Sequence, residues 1–98
     1  ATFRGKCFQR DGFACVMCGF RSSVERAETE LDAHHITDRN EMPNGGYVPE
    51  NGISLCRQCH ELAEVFHQTG ESHPGYSPEE LYARIGSSYH EAFQACNE

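Results

Sequence analysis

The chain has no tryptophan and only two methionines, and its eight Lys and Arg are outnumbered by fifteen Asp and Glu. It also lacks any run of about 18 apolar residues, which excludes an ordinary transmembrane helix. No basic-then-apolar stretch opens it, so no signal peptide is expected and a reducing, cytoplasmic setting is. The formal net charge of -7 runs against the basic balance usual in proteins that grip phosphate backbones. The charge is unevenly spread, however. Of the basic residues only Arg84 lies beyond Arg57, whereas the C-terminal part is rich in glutamate. The cationic content therefore sits among the first 60 residues, where the cysteine and histidine motifs lie.

With 98 residues, 38% of them hydrophobic, and a mean hydropathy of -0.64, the chain reads as one polar, loop-rich domain over residues 1–98. So short a chain buries a modest share of its surface, and a metal or covalent staple would help it fold. Cysteine supplies the means. Cys15-Val16-Met17-Cys18 and Cys56-Arg57-Gln58-Cys59 are two Cys-x-x-Cys pairs. Each such turn can present both sulfurs to one ion, so the four thiolates suit a tetrahedral structural zinc. The competing reading is a disulfide framework in a secreted protein. Cys7 and Cys96 stand outside the pairs and read as free, partly buried thiols, with a bond between them as the alternative.

Residues 2–11 read as a short helix or turn with Phe3 and Phe8 as core contacts, broken at Asp11-Gly12. Residues 21–30 are polar and read as exposed. Leu31 to Ile36 reads as a strand, and Ile53-Ser54-Leu55 as a second, very short one. Residues 37–52 hold several Asn, Pro and Gly and form a long loop by composition. A helix is predicted from Arg57 to about Thr69, with Leu62, Val65 and Phe66 on its apolar face and Gly70 as its stop. After a linker, Ser77-Pro78-Glu79-Glu80 opens a C-terminal helix of about residues 78–96 with Leu81, Tyr82, Ile85, Tyr89 and Phe93 as its stripe.

Adjacent histidines, His34-His35, end the first strand, and His60 directly follows the last cysteine. With Arg10-Asp11-Gly12, Pro49-Glu50-Asn51-Gly52 and the two cysteine pairs, this layout resembles the HNH endonuclease family over about half the chain, within a motif core of about residues 10–70. The resemblance implies an α+β, ββα-metal fold stapled by zinc, and an enzyme that hydrolyses DNA phosphodiester bonds. It implies His34 and His60 as ligands of a catalytic divalent ion and His35 as general base. Asn51 is implied to pin the loop and orient that base. Family members often carry Lys or His one turn beyond the last motif histidine. Here that position is Glu64, which reads either as a group orienting a metal-bound water or, in preference, as a solvated helix carboxylate.

The chemistry agrees with these residue types. An imidazole with a pKa of about 6.5 can take a proton from water near neutrality. A cation held by few protein ligands keeps positions open for phosphate. The ion itself is left open among Mg²⁺, Mn²⁺, Ni²⁺ and Zn²⁺. Neighbouring strand residues point to opposite faces, so His34 and His35 can serve one phosphate only if the strand ends there or the site lies along its edge. Arg10, Arg39 and Arg57 are candidate phosphate contacts, with solvated surface arginines as the alternative. His67 shares roughly the face of His60 and is a candidate third ligand or DNA contact, with a role outside the chemistry favoured, while His73 and His90 read as surface residues. Other readings stay open. His34-His35 can be a strand pair without chemistry, and His60 can replace a cysteine in a Cys₃His site. The whole can be a non-catalytic zinc module that binds nucleic acid or protein. Double-strand cleavage would call for a homodimer or a larger protein complex.

Overall fold

In the computed structural model, which describes residues 2–98, the first helix starts where the Thr2 hydroxyl accepts a hydrogen bond from the Gly5 amide at 2.9 Å. This helix, α1 (Phe3–Arg10), buries Phe8 and Cys7 and ends at Asp11. The knuckle Cys15–Cys18 follows. Gly19 turns it back at φ 81°, and a bridge between Ala14 and Arg21 closes it. The stretch expected to be wholly exposed contains a one-turn helix, α2 (Ala27–Glu30), because Ala27 is small enough to be buried against the core.

β1 (Leu31–His35) and β2 (Gly52–Cys56) then pair antiparallel, with His34 opposite Ile53 and His35 opposite Gly52. Between them the long loop is built of short 3₁₀ turns rather than extended chain. α3 (Arg57–Thr69) leaves β2 directly and stops at Gly70, whose φ of 83° is costly for a side chain. Its predicted apolar face is shifted. Cys59 and Ala63 are the buried positions, while Leu62, Val65 and Phe66 are half-buried. The helix is turned so that small residues meet the sheet, which brings His60 and His67 over β1.

The C-terminal segment is two helices, not the single one expected. α4 (Pro78–Arg84) opens on a capping box between Ser77 and Glu80. It ends at Ile85, Gly86 takes φ 71°, and Ser88 caps α5 (Tyr89–Cys96) by accepting from the Glu91 amide. Breaking at Gly86 lets both helices lean on the 37–52 loop. The Ser87 hydroxyl donates to Glu50 O at 2.9 Å, and Asn44 Nδ2 donates to Cys96 O at 2.7 Å.

Two internal ties lock α1 to β2. A Cβ at Gly52 would lie 2.5 Å from Cys7 Sγ and 2.7 Å from the Phe3 ring, so glycine permits the close approach. Arg10 donates to Pro49 O at 2.6 Å, to Gly52 O at 2.7 Å and through two nitrogens to Asp11. Asp11 in turn accepts from the Ser54 amide at 3.0 Å. The Arg10 guanidinium thus braces α1 against β2 while its side chain stays 30% exposed. Arg10→Ala is expected to cost about 2 kcal/mol in urea unfolding, the scale of losing hydrogen bonds made by a charged group. An unchanged midpoint would show that the brace carries no stability.

Candidate metal centres and active site

Two separate groups of metal-ligating side chains form. Cys15, Cys18, Cys56 and Cys59 bring their sulfurs within 4.8 Å of one another. The first pair arrives on the knuckle, which is docked on β2 by the Val16 amide donating to Ser54 O at 3.0 Å. The second pair comes from the end of β2 and the first turn of α3. Burial opposes ionisation of Cys15, but the backbone N–H groups of Cys18, Cys56 and Met17 outweigh it and bring that thiol down to about 7. The Tyr76 hydroxyl donates to Cys59 Sγ at 3.3 Å. All six cysteines are unbridged, so neither the disulfide framework nor the Cys7–Cys96 bond is formed. His60 is not part of this group, which leaves the sulfur site as Cys₄ rather than Cys₃His.

The second group is His34, His60 and Glu64, whose ligand atoms also lie within 4.8 Å of one another. His34 is 1% exposed and points from β1 onto α3, with its ring 5.2 Å from those of both His60 and His67. Neither of its ring nitrogens has a hydrogen-bond partner, although Nδ1 lies 3.1 Å from Glu64 Oε2. Burial, then the neighbouring His60 and His67, push its pKa down to about 3, so the ring is neutral and carries a free lone pair.

His60 is oriented from behind. Its Nδ1 lies 3.1 Å from Asp32 Oδ2, and a carboxylate only accepts, so the proton sits on Nδ1. The Nε2 lone pair then faces Glu64 Oε2 at 3.4 Å with no proton between them. Glu64 Oε2 thus meets two imidazoles, at 3.1 Å from His34 Nδ1 and 3.4 Å from the unprotonated His60 Nε2, and a cation among the three side chains would relieve the repulsion at His60. A carboxylate behind a metal-facing histidine is also the usual support for such a ligand. The donor set therefore fits a divalent ion.

His35 sits apart from this group, as strand alternation requires. Its ring stacks on Phe3 at 4.6 Å and meets Tyr47 edge-on at 4.7 Å. β1 ends at His35, however, and the side chain lines a cavity of about 330 Å³ together with Arg39, His60, Glu64 and His67. The pairing stays regular through both histidines, so His35 reaches the cavity from the strand end while His34 points onto α3. Burial, then Arg39, push the His35 pKa down to about 4, which leaves it neutral at physiological pH. His67 Nε2 donates to His35 O at 2.9 Å and ties the strand end to α3.

Asn51 is fully buried and uses its whole amide. Nδ2 donates to Thr37 O at 3.0 Å and Gly46 O at 3.2 Å, and Oδ1 accepts from the Thr37 amide at 2.9 Å and the Tyr82 hydroxyl at 2.7 Å. A Cβ at Gly46 would lie 2.6 Å from Asn51 Nδ2, so this contact too requires glycine. Asn51 thereby fixes the turn directly after His35. Of the remaining arginines, Arg39 donates to the Tyr47 hydroxyl at 2.5 Å at the cavity, while Arg57 pairs with Asp32 at 3.1 Å.

His34 and His60 come together as the resemblance implies, and Glu64, for which a solvated carboxylate is the favoured expectation over a group orienting a metal-bound water, joins them. Asp32, Tyr47 and the Tyr82 hydroxyl are not anticipated by the sequence. The i, i+4 spacing of His60 and Glu64 on α3 was the available signal for Glu64.

The sequence profile of the HNH endonuclease family matches residues 15–65, just over half of the chain. The protein is a member of the HNH endonuclease family. The paired strands, α3 and the Cys₄ cluster agree with that family's ββα-metal fold. No curated protein and no solved structure matches the chain. Among the described residues no helix is long and apolar enough to cross a membrane.

Proposed function

We propose that this protein is a metal-dependent endonuclease that hydrolyses DNA phosphodiester bonds, with residues 1–98 acting as one nuclease unit. The observation that carries this reading is the convergence of His34, His60 and Glu64 beside His35, in a chain of the HNH family. His34, His60 and Glu64 would hold the divalent ion. Two imidazoles and one carboxylate suit Mn²⁺, Ni²⁺ or Zn²⁺ better than they suit Mg²⁺. A divalent ion bound there supplies charge relief at the phosphate and at the departing 3′-oxygen.

The other side chains do the remaining work. His35 accepts the proton of the attacking water, and its neutral state leaves it ready to do so. Phe3 and Tyr47 fix the plane of its ring, and His67 and Asn51 fix its backbone. Asp32 holds the proton of His60 on Nδ1. Arg39 lies at the cavity and contacts phosphate there, whereas Arg57 lines a separate cavity and is engaged by Asp32. The four cysteines hold a structural zinc and take no part in the reaction.

The test is nicking of supercoiled plasmid with Mn²⁺ or Mg²⁺, paired with metal titration. Cleavage that stops on chelation, together with one exchangeable ion beyond the tightly held zinc, is expected. Intact plasmid with every ion tried, despite a loaded second site, would overturn the reading.

A second reading is a zinc module that engages a protein partner. The net charge and the pairing of Arg4, Arg26 and Arg57 with acids favour it. It predicts one tightly bound zinc, no exchangeable ion and no cleavage.

A further inference from the structure

Tyr82 lies on α4, outside the residues that match the family, yet it is 4% exposed and reaches the interior of the site. Its hydroxyl donates to Asn51 Oδ1 at 2.7 Å, which leaves it to accept from the Thr37 hydroxyl at 2.7 Å. An amide side chain has two N–H donors and two acceptor lone pairs. In Asn51 three of the four go to backbone at Thr37 and Gly46, and Tyr82 fills the last. Without that hydroxyl, a buried acceptor loses one of its partners and Thr37 loses one of its links to α4. Thr37 is two residues from His35.

We propose that Tyr82 is a positioning residue for the cleavage reaction, holding Asn51 and the Thr37 turn so that His35 keeps its place at the cavity. The inference rests on the nuclease reading above. Two further ties act from the same segment, Ser87 on Glu50 O and Asn44 on Cys96 O, so the C-terminal helices grip the loop along its length. Packing alone does not need the oxygen, because a phenylalanine ring fills the same buried space. The hydroxyl therefore serves the polar relay rather than the core.

Tyr82→Phe separates the two roles. The expected result is a fall in kcat for plasmid nicking of about tenfold with KM held within about twofold, as when a reacting group is displaced without loss of substrate binding. Bound zinc stays stoichiometric. Amide exchange at Thr37 speeds up, while exchange at Val16, bonded to Ser54 on the zinc side, does not. Thr37→Val, which removes only the outer hydroxyl, loses less activity, and Thr37→Ser keeps it.

An unchanged kcat in Tyr82→Phe overturns the proposal. So does faster exchange at Thr37 and Val16 alike, which marks general loosening. If Tyr82→Phe does not fold, Thr37→Val decides, and full activity there overturns the relay. A wild-type protein that leaves plasmid intact removes the nuclease reading and this inference with it. A cleaving wild type with an equally active Tyr82→Phe removes the inference alone.

Discussion

A Cys59→Ser protein is expected not to fold as a cooperative unit. Cys59 is one of four sulfurs that converge, and it is 5% exposed. Serine nearly matches the shape of cysteine, but its hydroxyl does not ionise near neutral pH and is a poor partner for zinc. Structural zinc in small modules contributes roughly 10–16 kcal/mol of apparent binding free energy at neutral pH. Whole domains have net stabilities of only about 5–15 kcal/mol. Losing even part of the zinc term therefore exceeds what the small core can replace. The knuckle at residues 15–18 would come away from β2, and α3 would lose its anchored first turn. Elemental analysis of the purified variant should find zinc well below one per chain. Urea titration by circular dichroism should show no sigmoidal transition. Cys96→Ser is the control, because that thiol lies outside the cluster and should leave zinc content unchanged. A zinc-loaded Cys59→Ser with the wild-type midpoint would mean that the four sulfurs do not form the staple.

The second large effect is on chemistry rather than on folding. His35→Ala is expected to lower the plasmid-nicking rate by about 10²–10⁴-fold, the usual share of a positioned general base. The ring is no ligand of either cluster, so zinc content and divalent-ion affinity should stay at wild-type values. DNA affinity should also hold, since the proposed phosphate contacts lie on other side chains. The ring is packed between Phe3 and Tyr47, so the thermal midpoint must be measured alongside. Rate loss at an unchanged midpoint and unchanged ion affinity assigns the effect to proton transfer. Cleavage within a few-fold of wild type would remove His35 from the reaction.

How far the sequence revealed this arrangement depends on what each residue's role needs. The sulfur site was legible because a Cys-x-x-Cys turn is local, and two of them state the whole ligand set. His34, His60 and Asn51 were legible because strand end, loop and helix start follow each other in a readable order. Glu64 was not, since a glutamate one turn along a helix looks the same whether it meets solvent or two imidazoles. Only the packing of Ala63 on the sheet turns that helix face inward. Tyr82 was read as part of an apolar stripe, because periodicity reports the ring and says nothing of the hydroxyl. The same stripe hid the break at Gly86, as Ile85 and Tyr89 continue its spacing across the gap. Ser88 and Glu91, a serine followed three residues later by an acid, carried the overlooked helix start. The bracing role of Arg10 was hidden for a different reason. Asp11 is its neighbour, but the Pro49 and Gly52 carbonyls lie 39 and 42 residues further along the chain, and no local pattern announces them.

The pairing of cations with acids also reaches beyond the fold. Arg4, Arg10, Arg26 and Arg57 each face a carboxylate, which leaves about half of the eight basic side chains to meet a polyanion. Each phosphate neutralised by a protein cation releases condensed counterions and steepens the fall of affinity with salt by roughly 0.9 in log–log slope. By the nuclease reading, DNA held here would displace few such ions. Its retention would then depend weakly on ionic strength and strongly on the occupancy of the divalent site.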